Sequence, residues 1–103
     1  MQIFETLADD TRRRILDLLR TRERAVGELV ATLGMSQPGV SRHLRLLRDA
    51  GLVESRVDAQ RRVYRLRAES LRELDAWLEP YRLLWSGRLD ALEEHLASMK
   101  EEE

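Results

Sequence analysis

Apolar residues in this chain recur first at helical spacing, then in two short extended runs, then at helical spacing again over a long final stretch. Ile3, Phe4 and Leu7 predict a short first helix. Ile15, Leu16, Leu18 and Leu19 predict a second, with Asp9 or Asp10 and Thr11 placed to cap it. Val26, Leu29, Val30 and Leu33 step by three and four residues, so a third helix ends at Gly34, which can take the left-handed turn conformation. Ser36 is a good N-cap, and Pro38 suits a first helical turn, where its missing N–H is not needed. Val40, Leu44 and Leu47 then mark the buried stripe of a fourth helix, Gln37 to Ala50, stopped by Gly51.

Leu52 to Val57 and Arg62 to Leu66 carry residues that suit strands, and Asp58-Ala59-Gln60-Arg61 between them reads as a short hairpin loop. From Ser70 the helical spacing resumes through Leu71, Leu74, Trp77, Leu78, Tyr81, Leu84, Trp85, Leu89, Leu92, Leu96 and Met99. Pro80 should kink or restart this helix. Its apolar stripe is wider than a terminal helix of so small a domain can bury on its own body, which calls for a partner subunit. The charged tail from Lys100 to Glu103 is expected to fray.

A helix, a tight turn containing Gly34-Met35-Ser36, a second helix and a hairpin make a winged helix-turn-helix. The expected class is therefore mainly α with a two-stranded β wing, in the order α-α-α-α-β-β-α. With 103 residues the chain fits one domain, 1–103. Within it, 24–67 form the DNA-binding core and wing, and 1–20 and 70–99 the dimerisation helices.

Charge sharpens this picture. The net charge of −1 hides a strong asymmetry, because residues 37–67 hold eight arginines against three acids, a local +5, while residues 68–103 reach −6. The expected reading helix offers Ser36, Gln37, Pro38, Ser41, Arg42, His43 and Arg45, where Gln pairs with adenine, Arg with guanine, and Ser36 also offers a free N–H to a phosphate. Arg61 and Arg62 at the hairpin tip are placed for backbone or minor-groove contact, or else only keep the edge soluble. On the last helix the expected dimer interface is Leu74, Trp77, Leu78, Tyr81, Trp85, Leu89 and Leu92.

Composition removes other classes. No cysteine is present, so disulfides, thiolate metal sites and a cysteine nucleophile are excluded. No phosphate-binding glycine loop occurs, and the two histidines lie far apart in sequence without an evident partner, so no enzyme is expected and no cofactor. No apolar run is long enough to span a bilayer and no signal peptide is evident, which places the chain in the cytoplasm without a membrane partner. The competing reading is a winged-helix protein-interaction module, against which the +5 segment argues.

The runs Leu7-Ala8-Asp9-Asp10-Thr11-Arg12-Arg13-Arg14-Ile15-Leu16, Ser36-Gln37-Pro38-Gly39-Val40-Ser41-Arg42-His43-Leu44 and Ala50-Gly51-Leu52-Val53 together resemble the ArsR family of bacterial repressors, over nearly the whole chain. The resemblance implies a homodimer joined by its first and last helices, which adds Phe4 and Leu7 to the expected interface, with the Gln37 to Ala50 helix in the major groove of an inverted-repeat operator. It also implies repression, often of the regulator's own operon. His43 follows the family pattern, with a DNA-side or packing hydrogen bond as its role. The family's metal sensors are not matched: Ala25-Val26-Gly27-Glu28 stands where thiol sensors carry Cys-Val-Cys. The last helix has only His95, near Asp90, Glu93 and Glu94, so no metal is expected. Leu78-Glu79-Pro80-Tyr81 followed by Trp85 resembles a subgroup without metal ligands. There the aromatic cluster is dimer core or lines a ligand pocket, and the sequence names no small-molecule inducer.

Overall fold

The structure, a computed structural model, describes residues 2–101, with the side chain of Glu101 left out; Met1 and, from the charged tail, Glu102 and Glu103 lie outside the described residues. The chain divides into two compact units, residues up to Arg72 and residues from Glu73 onward.

In the first unit, helices α1 (Gln2–Leu7), α2 (Asp10–Thr21), α3 (Val26–Leu33) and α4 (Gln37–Asp49) precede a hairpin of β2 (Val53–Asp58) and β3 (Arg61–Leu66). A further strand, β1 (Arg24–Ala25), lies between α2 and α3 and pairs antiparallel with β3, Arg24 opposite Tyr64 and Ala25 opposite Val63. The sheet therefore has three strands in the order β1-β3-β2, one more than expected. The hairpin loop is also tighter. Asp58 and Arg61 form the last pair of the ladder, so only Ala59 and Gln60 turn the chain. Ala59 stands at φ 55°, the left-handed region that a two-residue hairpin demands of its first turn residue.

Asp9 caps α2, its Oδ1 accepting the Arg12 N–H at 3.1 Å. Ile15, Leu29, Val40, Leu44, Leu47, Leu52 and Val53 are fully buried, so α2, α3, α4 and the base of the hairpin share one core. At the end of α4, Gly51 takes φ +77°, and a Cβ there would stand 3.1 Å from Ser70 Oγ. Ser70 donates to the Gly51 carbonyl, fixing the chain where it leaves the sheet through a short 3-10 turn, Ala68–Leu71.

The second unit is essentially helix α5 (Arg72–Glu101). It starts two residues later than the sequence pattern predicts and runs through Pro80 without restarting there. A proline removes one intrahelical hydrogen bond, and the long flanking segments propagate helix on either side of it. Among the described residues no helix is long and apolar enough to cross a membrane.

Candidate nucleic-acid interface

The turn between α3 and α4 fixes everything that follows. Gly34 adopts φ 65° and its N–H reaches the Val30 carbonyl at 3.0 Å, closing α3. Two residues later Ser36 Oγ accepts the Gly39 N–H at 3.2 Å and starts α4, with Pro38 inside the first turn. Gly39 leaves room for that cap, since a Cβ there would meet Ser36 Oγ at 3.1 Å, a tight contact. With Val40, Leu44 and Leu47 turned into the core, Gln37, Pro38, Ser41, Arg42, Arg45 and Arg48 are left exposed.

The register of the hairpin decides which arginines accompany them. Directly opposed residues of an antiparallel pair share a face, so Val53, Ser55 and Val57 lie with Leu66, Tyr64 and Arg62. The other face carries Glu54, Arg56 and Asp58 with Arg65, Val63 and Arg61. On that face every arginine has an acid: Arg56 pairs with Glu23, Arg65 with Glu54, and Arg61 with Asp58 at 3.3 Å. Arg62, on the first face, is bound only to the neutral Ser55 Oγ, at 3.3 Å.

Arg62 and Tyr64 line a groove of about 600 Å³ together with Val26 and with Gln37, Pro38, Ser41, Arg42, Arg45 and Arg48 of α4. No acid among the described residues lines it. Among the described residues the side chains of Arg42, Arg45 and Arg48 form no ion pair or hydrogen bond, in contrast to those of Arg13, Arg22, Arg56, Arg61, Arg65 and Arg82. Unpaired guanidiniums facing an acid-free groove are an anion-binding surface.

Of the residues expected from sequence, Gln37, Pro38, Ser41, Arg42, Arg45 and Arg62 are thus brought together, and Ser36 sits behind them as the cap. Arg61 does not line the groove; it borders an adjoining hollow with Gly27, Glu28 and Gln60, which Gln37 and Arg62 also line, and it pairs with Asp58. His43 does not line the groove; its Nδ1 stands 4.0 Å from Oδ1 of Asp9, the N-cap of α2. Arg48 and Tyr64 escaped sequence reasoning. Arg48 continues the Ser41, Arg45 face by one more turn, a signal that was available. Tyr64 could be placed only with the hairpin register.

Two carboxyls near this frame titrate low. The Arg12 backbone N–H, against the opposing effect of burial, and then the nearby His43 and Arg12 charges hold Asp9 below the ordinary aspartate range. The Arg22 guanidinium, 2.7 Å away, together with the Ala25 N–H, lowers Glu28 at the start of α3. Ala25 is buried in β1, and Gly27 has no atom near its missing Cβ, so neither supplies a metal ligand where the thiol run would stand. Among the described residues no group of three His, Cys, Asp or Glu side chains is placed to hold a metal ion.

The residues of the expected dimer interface fall on α1 and α5. Phe4 and Leu7 on α1 are half-buried, as are Leu74 and Leu78 on α5. Trp77, Tyr81, Trp85, Leu89 and Leu92 are exposed, with the Trp77 and Tyr81 rings 4.9 Å apart.

Residues 9–55 match the family model described as bacterial regulatory protein, arsR family. The chain is 42% identical over 96 residues to the arsenic resistance transcriptional regulator ArsR1 of Pseudomonas putida, covering 92% of this chain and 70% of that one. To the transcriptional repressor SdpR of Bacillus subtilis it is 30% identical over 76 residues, covering 74% and 84%. Other curated relatives are longer, and the chain spans 57% of one and 65% of another. The solved structure of an ArsR-like transcriptional regulator from Rhodococcus sp. RHA1 superposes with a TM-score of 0.73 at 30% identity, covering 94% of this chain and 89% of that one. An acid-free arginine groove on a helix-turn-helix frame, with these relatives, leaves one assignment: the chain belongs to the ArsR family of bacterial regulatory proteins and is a DNA-binding transcriptional repressor, not an enzyme.

Proposed function

We propose that the protein acts as a homodimer on an inverted-repeat operator, with α4 in the major groove and the β2–β3 hairpin beside it on the backbone. The observation that carries this reading is the groove in which Arg42, Arg45, Arg48 and Arg62 face outward without a single acid. Gln37, Ser41 and Arg42, near the start of α4, read base edges, as the N-terminal part of a recognition helix does. Arg45, Arg48, Arg62 and the Ser36 N–H hold phosphates. Arg61 and His43 are left out of the contact set, one neutralised by Asp58 and the other facing α2.

The half of the reading that concerns the dimer rests on α5. Trp77, Tyr81, Trp85, Leu89 and Leu92 are each about half exposed or more, and so long an apolar stripe is a partner surface. Phe4 and Leu7 complete the interface from α1. A site of action on DNA inside the cell fits a cytoplasmic protein. The arsenic response in the name of ArsR1 is not carried over, because a chain without cysteine has no thiolate to offer arsenite. Autoregulation is tested on the same fragment as binding.

The test is the affinity of the purified chain for the DNA upstream of its own gene as salt is varied. Each phosphate neutralised contributes about −0.9 to the slope of log affinity against log salt. A steep slope is expected, since three arginines per protomer, Arg45, Arg48 and Arg62, are assigned to phosphates. A weak affinity with no salt dependence overturns the reading.

A further inference from the structure

Among the described residues, one buried side-chain polar atom has no hydrogen-bond partner, and it belongs to the recognition helix: His43 Nδ1. Buried polar atoms are nearly always satisfied, so an orphan of this kind marks a contact that forms under slightly different geometry or has a role. The group it faces is Asp9 Oδ1, 4.0 Å away, the same oxygen that accepts the Arg12 N–H and caps α2.

Chemistry fixes the direction of the contact. An Asp9 carboxylate offers only lone pairs, so an Nδ1 without a proton would set lone pair against lone pair in a buried position. The Arg12 N–H, against the opposing effect of burial, and then the Arg12 charge and the Thr11 N–H favour the ionised Asp9. His43 lies at the border of the buried Val40, Leu44 and Leu47 stripe, between Arg42 and Arg45, so what holds its ring also sets the rotation of α4 about its axis.

We propose that His43 is a positioning residue. Its ring carries a proton on Nδ1 and donates it to Asp9, clasping the recognition helix to the N-terminus of α2, so that Arg42 and neighbours meet the bases in register. This rests on α4 being the helix that reads DNA. A loosened clasp leaves all groove arginines in place, so non-specific DNA affinity stays while the preference for the correct sequence falls.

Two measurements on the full chain test it. Nitrogen NMR of the imidazole in the free protein reads the clasp without DNA: a protonated Nδ1 in wild type is expected, and a neutral ring protonated at Nε2 alone overturns the proposal. The second compares binding to a duplex selected by the wild-type chain from a random pool with binding to a scrambled duplex. His43→Leu is expected to lower the ratio of the two affinities about tenfold, the scale of one charge-assisted hydrogen bond. His43→Asn, whose amide N–H reaches the same place, retains it within about twofold on that scale. Asp9→Ser keeps the cap but is too short for His43, and covers the case in which His43→Leu does not fold. It should show the same loss, with no further loss in the double variant. An unchanged ratio, or additive losses, contradicts the clasp even where the salt-dependent binding above holds.

Discussion

Arg61 and Arg62 are neighbours in sequence and equivalent by composition, yet the hairpin register predicts opposite results when each becomes alanine. Arg62 lines the groove beside Arg42, Arg45 and Arg48 and meets only a neutral hydroxyl, so its charge is available to a phosphate. Arg61 lies on the other face, 3.3 Å from Asp58, and its charge is already answered. Each phosphate contact contributes about 0.9 to the salt slope, and Arg62→Ala removes one from each protomer of the dimer, about 1.8 in all. Between 50 and 200 mM salt, that pair of contacts accounts for about 12-fold of the fall in affinity. Fluorescence anisotropy on one labelled duplex over that range is the assay. Arg62→Ala should show the shallower slope on specific and scrambled duplexes alike, and Arg61→Ala should keep the wild-type slope. Equal slopes for both variants, or a change confined to Arg61→Ala, would refute the face assignment.

Other predictions follow from single residues. Ser36→Ala leaves the Gly39 N–H without its acceptor and should cost about 1 kcal/mol, or about 4–8 °C in thermal melting, while a change below about 1 °C would remove the cap from the account. Trp85→Glu places a charge on the exposed apolar face of α5 and should turn the sedimenting species into a monomer with unchanged helix content. An unchanged dimer would move the interface elsewhere. The carboxyl of Asp9 is lowered from the ordinary 3.8, so its stabilising contribution is complete above that value and lost as pH falls through the lower folded-state value. Asp9→Asn, still a good cap, should flatten the acid end of the stability curve below about pH 4, and parallel curves would show that Asp9 is not linked to folding.

Much of this fold was legible because its signals are local. Ser36, Pro38 and Gly34 announce their helix ends by their own backbone and side-chain chemistry, and each does in the structure what it predicts. The same holds for the buried faces of α2 and α4. What escaped depends on distant partners. Strand β1 has two residues and exists because Tyr64 and Val63, nearly forty positions later, supply its hydrogen bonds. The two-residue turn at Ala59 and Gln60 places a non-glycine residue in the left-handed region, against the usual preference, so propensity alone argues for the longer loop. That difference leaves the register and the face of Arg62 unchanged, but brings Arg61 out of the loop into the ladder opposite Asp58, on the other face. His43 was placed beside the reading residues by its position in the run Ser41-Arg42-His43-Leu44, and only the packing of α4 on α2 turns it toward Asp9.

The central claim is that two copies of the groove, related by a two-fold axis, read one operator. Selection of duplexes from a random pool by the purified chain, followed by sequencing, tests it directly. The account predicts an inverted repeat with half-site centres about one helical turn apart, about 10 base pairs, or a multiple of that spacing. Enrichment of a lone half-site, a direct repeat, or no sequence at all would contradict it.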